Sequence, residues 1–143
     1  MEKEIISQNE SEKREKERVM PTKILVIDND PIDIEDLNLD LYFPNNPNII
    51  TALCHSVEDA KNAIDQYCPK IIFCDHFLTS SGNEGFEIFK YIEGKGIKFY
   101  TTTSSDKIGL EYKEMGIERL GKYDNSIPDK IRSILSSKKE NEI

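Results

Sequence analysis

The 143-residue chain has no apolar run approaching the ~20 residues that cross a bilayer, and its N-terminus lacks the apolar core of a signal peptide. Membrane insertion and export are therefore not expected, and a cytoplasmic protein is. Positive charge is also short. Nineteen Lys and Arg stand against 27 Asp and Glu, a net charge of −8, which argues against a nucleic-acid or anionic-membrane surface and favours cations or basic partner patches. Cysteine is scarce. Cys54, Cys68 and Cys74 are odd in number and irregular in spacing, which excludes a disulfide framework and reads as reduced thiols in apolar or strand-end contexts. His55 and His76 each neighbour a cysteine, yet no spacing matches a zinc pattern. The length excludes two domains, no repeat is present, and ordinary hydrophobic content (37%) excludes disorder of the whole.

What the chain does have is Lys70-Ile71-Ile72-Phe73-Cys74-Asp75, an apolar run driven into one acidic residue. Bounded by Pro69 and a loop, it reads as a strand buried on both faces, the mark of a parallel sheet between helices. Lys23-Ile24-Leu25-Val26-Ile27 has the same form and ends in Asp28-Asn29-Asp30. Before it, residues 1–22 mix both charge signs with little to bury and read as a flexible arm, broken at Pro21.

The rest alternates. After strand 23–28, Pro31 opens a helix with Ile34, Leu37 and Leu41 inward, ended by Pro44–Pro47. Residues 48–53 make a second strand, and Ser56 caps a helix with Val57, Ala60, Ile64 and Tyr67 as its buried stripe. A turn-rich loop, 76–85, follows the strand ending at Asp75. Phe86, Phe89 and Tyr91 or Ile92 mark a third helix, stopped by Gly94 and Gly96. A fourth strand spans 97–102. Asp106 can cap the next helix, with Ile108, Tyr112 and Met115 inward. Residues 117–121 make a short fifth strand, and Pro128 opens a last helix with Ile127, Ile131, Ile134 and Leu135 on one side, with solvated tail from Ser136. The expected domain is 23–137, with residues 138–143 as tail. Five strands alternating with five helices imply a doubly wound α/β sandwich of three layers, for which 2-1-3-4-5 is the common strand order.

In that order the polar strand ends share one edge. Asp28 and Asp30 come from the first strand, Asp75 from the third, hydroxyls of Thr101 to Ser105 from the fourth, and Lys122 follows the fifth. Hard oxygen donors around a small cavity suit Mg²⁺, which bridges carboxylates to phosphate oxygens, and the lysine would offset charge on a phosphoryl group. Each residue has a plainer reading. Asp28 and Asp30 are also helix caps, Lys122 alone is ordinary surface charge, and Thr101 to Ser105 also fit strand propensity and turn chemistry.

From Lys23 to about Leu135 these residues resemble the receiver domain of bacterial two-component response regulators. The resemblance rests on Lys23–Pro31, the strand ending at Asp75, the Gly85-Phe86-Glu87-Ile88 helix start, the Thr/Ser strand end and Lys122. It implies a flavodoxin-like, CheY-like five-stranded sheet and a signal-transducing phosphoprotein. A sensor histidine kinase or phosphotransfer protein would donate a phosphoryl group to Asp75. Mg²⁺ would be held by Asp28, Asn29, Asp30, Asp75 and the backbone of Phe77. Thr102 or Thr103, together with Lys122, would engage the phosphoryl group. Chemistry would be confined to the domain's own phosphorylation and dephosphorylation, and the output would be docking to a downstream target protein, with no output domain following in the chain. The sequence departs from the family at Asn29, where a second acid is usual, in its longer loop after Asp75, at Tyr123 in place of proline and at Arg119 near the usual aromatic switch position. Two alternatives stand beside it: a phosphorylation-independent pseudo-receiver that binds a partner, and a haloacid-dehalogenase-like phosphohydrolase with Asp28 as nucleophile.

Overall fold

The computed structural model describes residues 22–79 and 82–141. Residues 1–21 of the expected arm, Ser80 and Ser81 of the loop, and the last two residues lie outside the described residues. β1 (Ile24–Asp28) is buried at all five positions, so it needs a neighbour on each edge and cover on each face. β2 (Ile49–Leu53) and β3 (Ile71–Cys74) pair parallel to it on either side, Ile24 lying opposite both Ile49 and Ile71. β4 (Lys98–Thr101) pairs parallel to β3, and the sheet runs β2-β1-β3-β4.

The order is the expected one over four strands, but the fifth strand is not seen among the described residues. Residues 117–121 make one isolated bridge, Arg119 to Thr101. Thr101 N donates to Glu118 O at 3.1 Å and Leu120 N donates to Thr101 O at 2.9 Å. The reason lies in the side chains. Arg119 turns back to Ser105 O and Asp106, and Gly121 sits so close to the Asp124 carboxylate that a Cβ there would come within 2.7 Å of it, so the chain leaves the sheet after a single pairing.

Side chains alternate along a strand, and the core splits accordingly. Leu25, Ile27, Ile72, Cys74 and Phe99 face one side. They are covered by α3 (Val57–Tyr67), α4 (Glu84–Ile92) and α5 (Asp106–Glu114) through Ala60, Ile64, Ile88, Ile92 and Tyr112. Ile24, Val26, Ile71, Phe73 and Tyr100 face the other side. There α1 (Pro31–Leu37), α2 (Leu39–Tyr42) and α6 (Ser126–Asn141) supply Leu37, Leu39, Ile127 and Ile131. No helix among the described residues is long and apolar enough to cross a membrane.

Several helix details differ from the sequence reading. The first helix is broken at Asn38, whose φ of 54° is left-handed. The break shifts the helical phase, so Leu39 joins Leu37 inside while Leu41 is 73% exposed. Ser105, not Asp106, caps α5 by accepting from Ile108 N at 3.3 Å, because Asp106 is paired with Arg119. Met115 lies past the end of that helix and is 45% exposed. α4 begins at Glu84, and α6 begins at Ser126 and continues through the expected tail to Asn141. Cys54 and Cys74 are buried as expected, whereas Cys68 is exposed where α3 ends in a left-handed turn.

The break at Asn38 makes a direct comparison. Leu37→Ala should lose about 2–5 kcal/mol in denaturant unfolding, whereas Leu41→Ala should stay within about 0.5 kcal/mol of the parent chain.

Candidate functional site

Parallel pairing brings the ends of β1 and β3 to one edge. Ile27 lies opposite Cys74, and Asp75 N donates to Ile27 O at 2.9 Å, so Asp28 and Asp75 leave the sheet at neighbouring levels. Both are buried. Two carboxylates out of water are strongly unfavourable unless a cation meets them. Lys122 supplies it. Its Nζ lies 3.1 Å from Asp28 Oδ2, 3.1 Å from Asp75 Oδ2 and 3.5 Å from Asp33 Oδ2, and its side chain is only 9% exposed.

The electrostatics follow from this packing. Burial pushes the Asp75 carboxyl above the ordinary carboxylate range; Lys122 opposes the shift and the Asp28 charge adds to it. Burial on its own would lower the Lys122 ammonium, but Asp75 and Asp28 outweigh it and hold the group above its usual value. Burial, reinforced by Asp59, raises the Cys54 thiol to about 11, and burial followed by the Asp75 charge raises Cys74 as well. These two thiols therefore stay protonated and act as core.

The structure separates the other sequence candidates. Asp30 caps α1, its Oδ1 accepting from Ile32 N at 2.9 Å, while its own N–H donates to Asp28 Oδ1 at 3.0 Å. The Asn29 amide donates to Leu78 O at 3.4 Å. Phe77 follows Asp75 by two residues and its side chain is exposed. Thr102 and Thr103 are both buried. Thr102 N donates to Cys74 O at 3.0 Å, which extends the β3–β4 register and places Thr102 beside Asp75. The Thr103 hydroxyl accepts from Ser105 N at 3.2 Å, an ordinary turn contact.

Asp33 was absent from the sequence reading. It sits three residues beyond the Asp30 cap, in the first turn of α1, where an acidic residue is expected for the helix dipole alone; its register with the cap is the signal that it faces the crevice. Tyr123 donates its hydroxyl to Asp33 Oδ2 at 3.4 Å. The sequence reading placed Tyr112 inward but weighed His76 only as a metal ligand, and did not pair the two. Both are fully buried, His76 Nδ1 lying 2.7 Å from the Tyr112 hydroxyl and Nε2 2.6 Å from Gly82 O. The buried Glu84 braces the same loop, accepting from Thr79 N at 2.9 Å and from the Thr79 hydroxyl.

Whether these residues suit a hard divalent cation turns on charge. Three carboxylates converge on one ammonium, and the oxygen-only donor set matches Mg²⁺. Their oxygens point at Nζ, and among the described residues no three or more acidic, His or Cys side chains are grouped as a ligand shell. On charge and donor type the pocket fits the ion, with Asp28 and Asp75 as its carboxylates.

No protein-family profile matches the chain, and no curated protein matches it. Solved structures do. The signal receiver domain of the DNA-binding response regulator merR from Colwellia psychrerythraea 34H superposes with a TM-score of 0.64 at 17% identity, over 81% of this chain and 99% of that one. The N-terminal domain of an uncharacterized protein from Wolinella succinogenes gives 0.59 at 20% identity, over 85% and 95%. The Legionella pneumophila response regulator LqsR gives 0.56 at 17% identity, over 82% of this chain and 43% of that one. The described strands and helices thus form a doubly wound α/β domain with an acidic crevice at the strand ends, and its fold is that of response regulator receiver domains.

Two substitutions separate the roles of the charges. Lys122→Met leaves buried carboxylates without their cation and should cost about 3 kcal/mol in thermal or chemical melts at neutral pH. Asp75→Asn acts the other way. The folded chain holds the Asp75 proton more tightly than the unfolded chain, so between the ordinary value of about 3.9 and the raised folded value unfolding releases a proton and stability falls as pH rises. Asp75→Asn removes that loss. It should melt at or above the parent temperature at neutral pH, with the advantage shrinking toward about pH 4.

Proposed function

We propose that the chain is a receiver domain of a two-component phosphorelay that accepts a phosphoryl group on Asp75 and signals by docking to a partner protein. The observation that carries this reading is Lys122 Nζ at 3.1 Å from both Asp28 and Asp75, at the C-terminal ends of adjacent parallel strands. Ligands of open α/β sheets gather at that edge.

Asp75 acts as the nucleophile. One carboxylate oxygen forms a bond to phosphorus, the donor's bond to phosphorus breaks, and its electron pair leaves with the donor group. The attack needs the ionised carboxylate, and Lys122 opposes the upward pull of burial that would protonate it. Once the acyl phosphate forms, the Lys122 ammonium moves its contact from the Asp75 carboxylate to a phosphoryl oxygen. Thr102, in register with Asp75, is the better placed of the two threonines to donate a hydroxyl. Mg²⁺ bound by Asp28, Asp75 and the Phe77 carbonyl would supply charge neutralisation for the phosphoryl oxygens. Asn29 would contribute an amide oxygen at most, and Asp30, committed to its cap, would act through Asp28. A sensor histidine kinase or phosphotransfer protein would be the donor in the cytoplasm, and no turnover beyond the domain's own acyl phosphate is proposed.

One observation favours a second reading. Asn29 brings no charge and is tied to Leu78 O, which weakens the metal site and fits a module that docks without phosphate. Incubation with acetyl phosphate and Mg²⁺, followed by mass mapping of any acyl phosphate, separates the readings. Labelling at Asp75, lost in Asp75→Asn, is the expected result. No labelling favours the phosphate-independent module, continuous phosphate release through Asp28 favours a phosphohydrolase, and labelling that persists in Asp75→Asn overturns the assignment.

A further inference from the structure

The residue after Asp75 is a fully buried histidine with both ring nitrogens engaged, and the proposed chemistry gives it no role. Gly82 O can only accept, so Nε2 carries the proton, and the neutral Nδ1 then accepts from the Tyr112 hydroxyl. One tautomer is selected and both contacts are short. The ring is also held sideways, with the rings of Phe77, Phe86 and Tyr112 at 4.7, 4.5 and 5.4 Å between centroids. The backbone closes the clamp. Gly85 N donates to His76 O at 3.0 Å. A Cβ on Gly85 would stand 2.7 Å from His76 Nδ1 and 2.9 Å from His76 Cα, and closer still to the Tyr112 hydroxyl, so glycine is the residue that leaves room for the pair.

The clamp bears on Asp75 through one peptide unit. The His76 carbonyl that accepts from Gly85 N belongs to the peptide unit joining His76 to Phe77, directly beyond Asp75. The imidazole contacts and the Gly85 bond therefore fix together the backbone that leads out of Asp75. Tyr112 lies at the far end of the contact, on α5, whose Ser105 cap follows the strand end bearing Thr102 and Thr103.

We propose that His76 is a positioning residue for Asp75, its imidazole pinned by Tyr112 and Gly82 and its carbonyl by Gly85 so that the backbone on either side of it, and with it the carboxylate that takes the phosphoryl group, is held in place. The inference rests on the phosphoacceptor reading and adds a residue to it. A histidine that only fills the core would serve as well in the absence of its hydrogen bonds, and the two cases respond differently to loss of a single hydroxyl.

The test compares the full chain with Tyr112→Phe, which removes one hydroxyl and keeps the ring, and with His76→Phe, which keeps an aromatic ring and removes both contacts. The rate of acyl-phosphate formation at Asp75 is measured at saturating acetyl phosphate and Mg²⁺, beside the melting temperature and the amide shift of Phe77. The expected result is a rate lowered about fivefold in each variant, the factor equivalent to one net hydrogen bond, with a moved Phe77 amide and no further loss when the two changes are combined. If both variants fold and label at the parent rate, with lower melting temperature alone, the histidine is core and the inference is overturned. Should His76→Phe fail to fold, Tyr112→Phe decides by the same criteria. A parent chain that takes no label overturns the phosphoacceptor reading itself, an outcome distinct from a labelled parent with indifferent variants.

Discussion

A single ammonium between two buried carboxylates is the constraint on which the edge of this sheet depends. Without Lys122, Asp28 and Asp75 would be neighbouring anions out of water, and the parallel pairing of β1 with β3 would bring repulsion wherever it brings burial. The apolar runs before each aspartate draw the strands together, and the lysine makes their polar ends compatible. A segment with one backbone bridge to the sheet carries that lysine. Fold and candidate chemistry thus meet in one ion cluster, and Asp33 belongs to it as fully as the residues at the strand ends.

Much of this was legible in the residues. Continuous apolar runs at 24–27 and 71–74 identify central strands because only a strand buried on both faces is apolar at every position, and each run's terminal aspartate marks the edge where the ion cluster forms. Ser56 could be read as a cap because its side chain and the acids after it satisfy the first turn of α3 together. The misreadings have local causes. A helical stripe through Leu41 assumes unbroken 3.6-residue phase, and one left-handed residue, Asn38, resets it. The fifth strand was read from Ile117 to Gly121, but strand propensity carries no information about Arg119 turning its guanidinium to Asp106. Asp30 could be read from the sequence as a cap or as a ligand, and the structure shows the cap, its Oδ1 accepting from Ile32 N.

The contacts hardest to read were those joining residues far apart in the chain. His76 and Tyr112 are 36 residues apart, and neither carries a spacing rule. A histidine beside a strand-end aspartate was weighed only as a metal ligand, although the aromatic residues Phe77, Phe86 and Tyr112 already furnished an apolar cage for it. Gly85 was noted as part of a helix start, whereas its function in the structure is to leave space for a side-chain pair.

The lone pairing at Arg119 gives the domain an uneven resistance to local opening. Pulling β1 from its neighbours would break two ladders and expose a core, whereas the strip that precedes Lys122 has only two amide contacts to Thr101 beside the Arg119 contacts to Ser105 O and Asp106 and the buried Ile117 side chain. The cation at the crevice is therefore mounted on a segment with few backbone ties to the sheet, and its ion pairs to Asp28, Asp33 and Asp75 are what hold that segment to the strand ends.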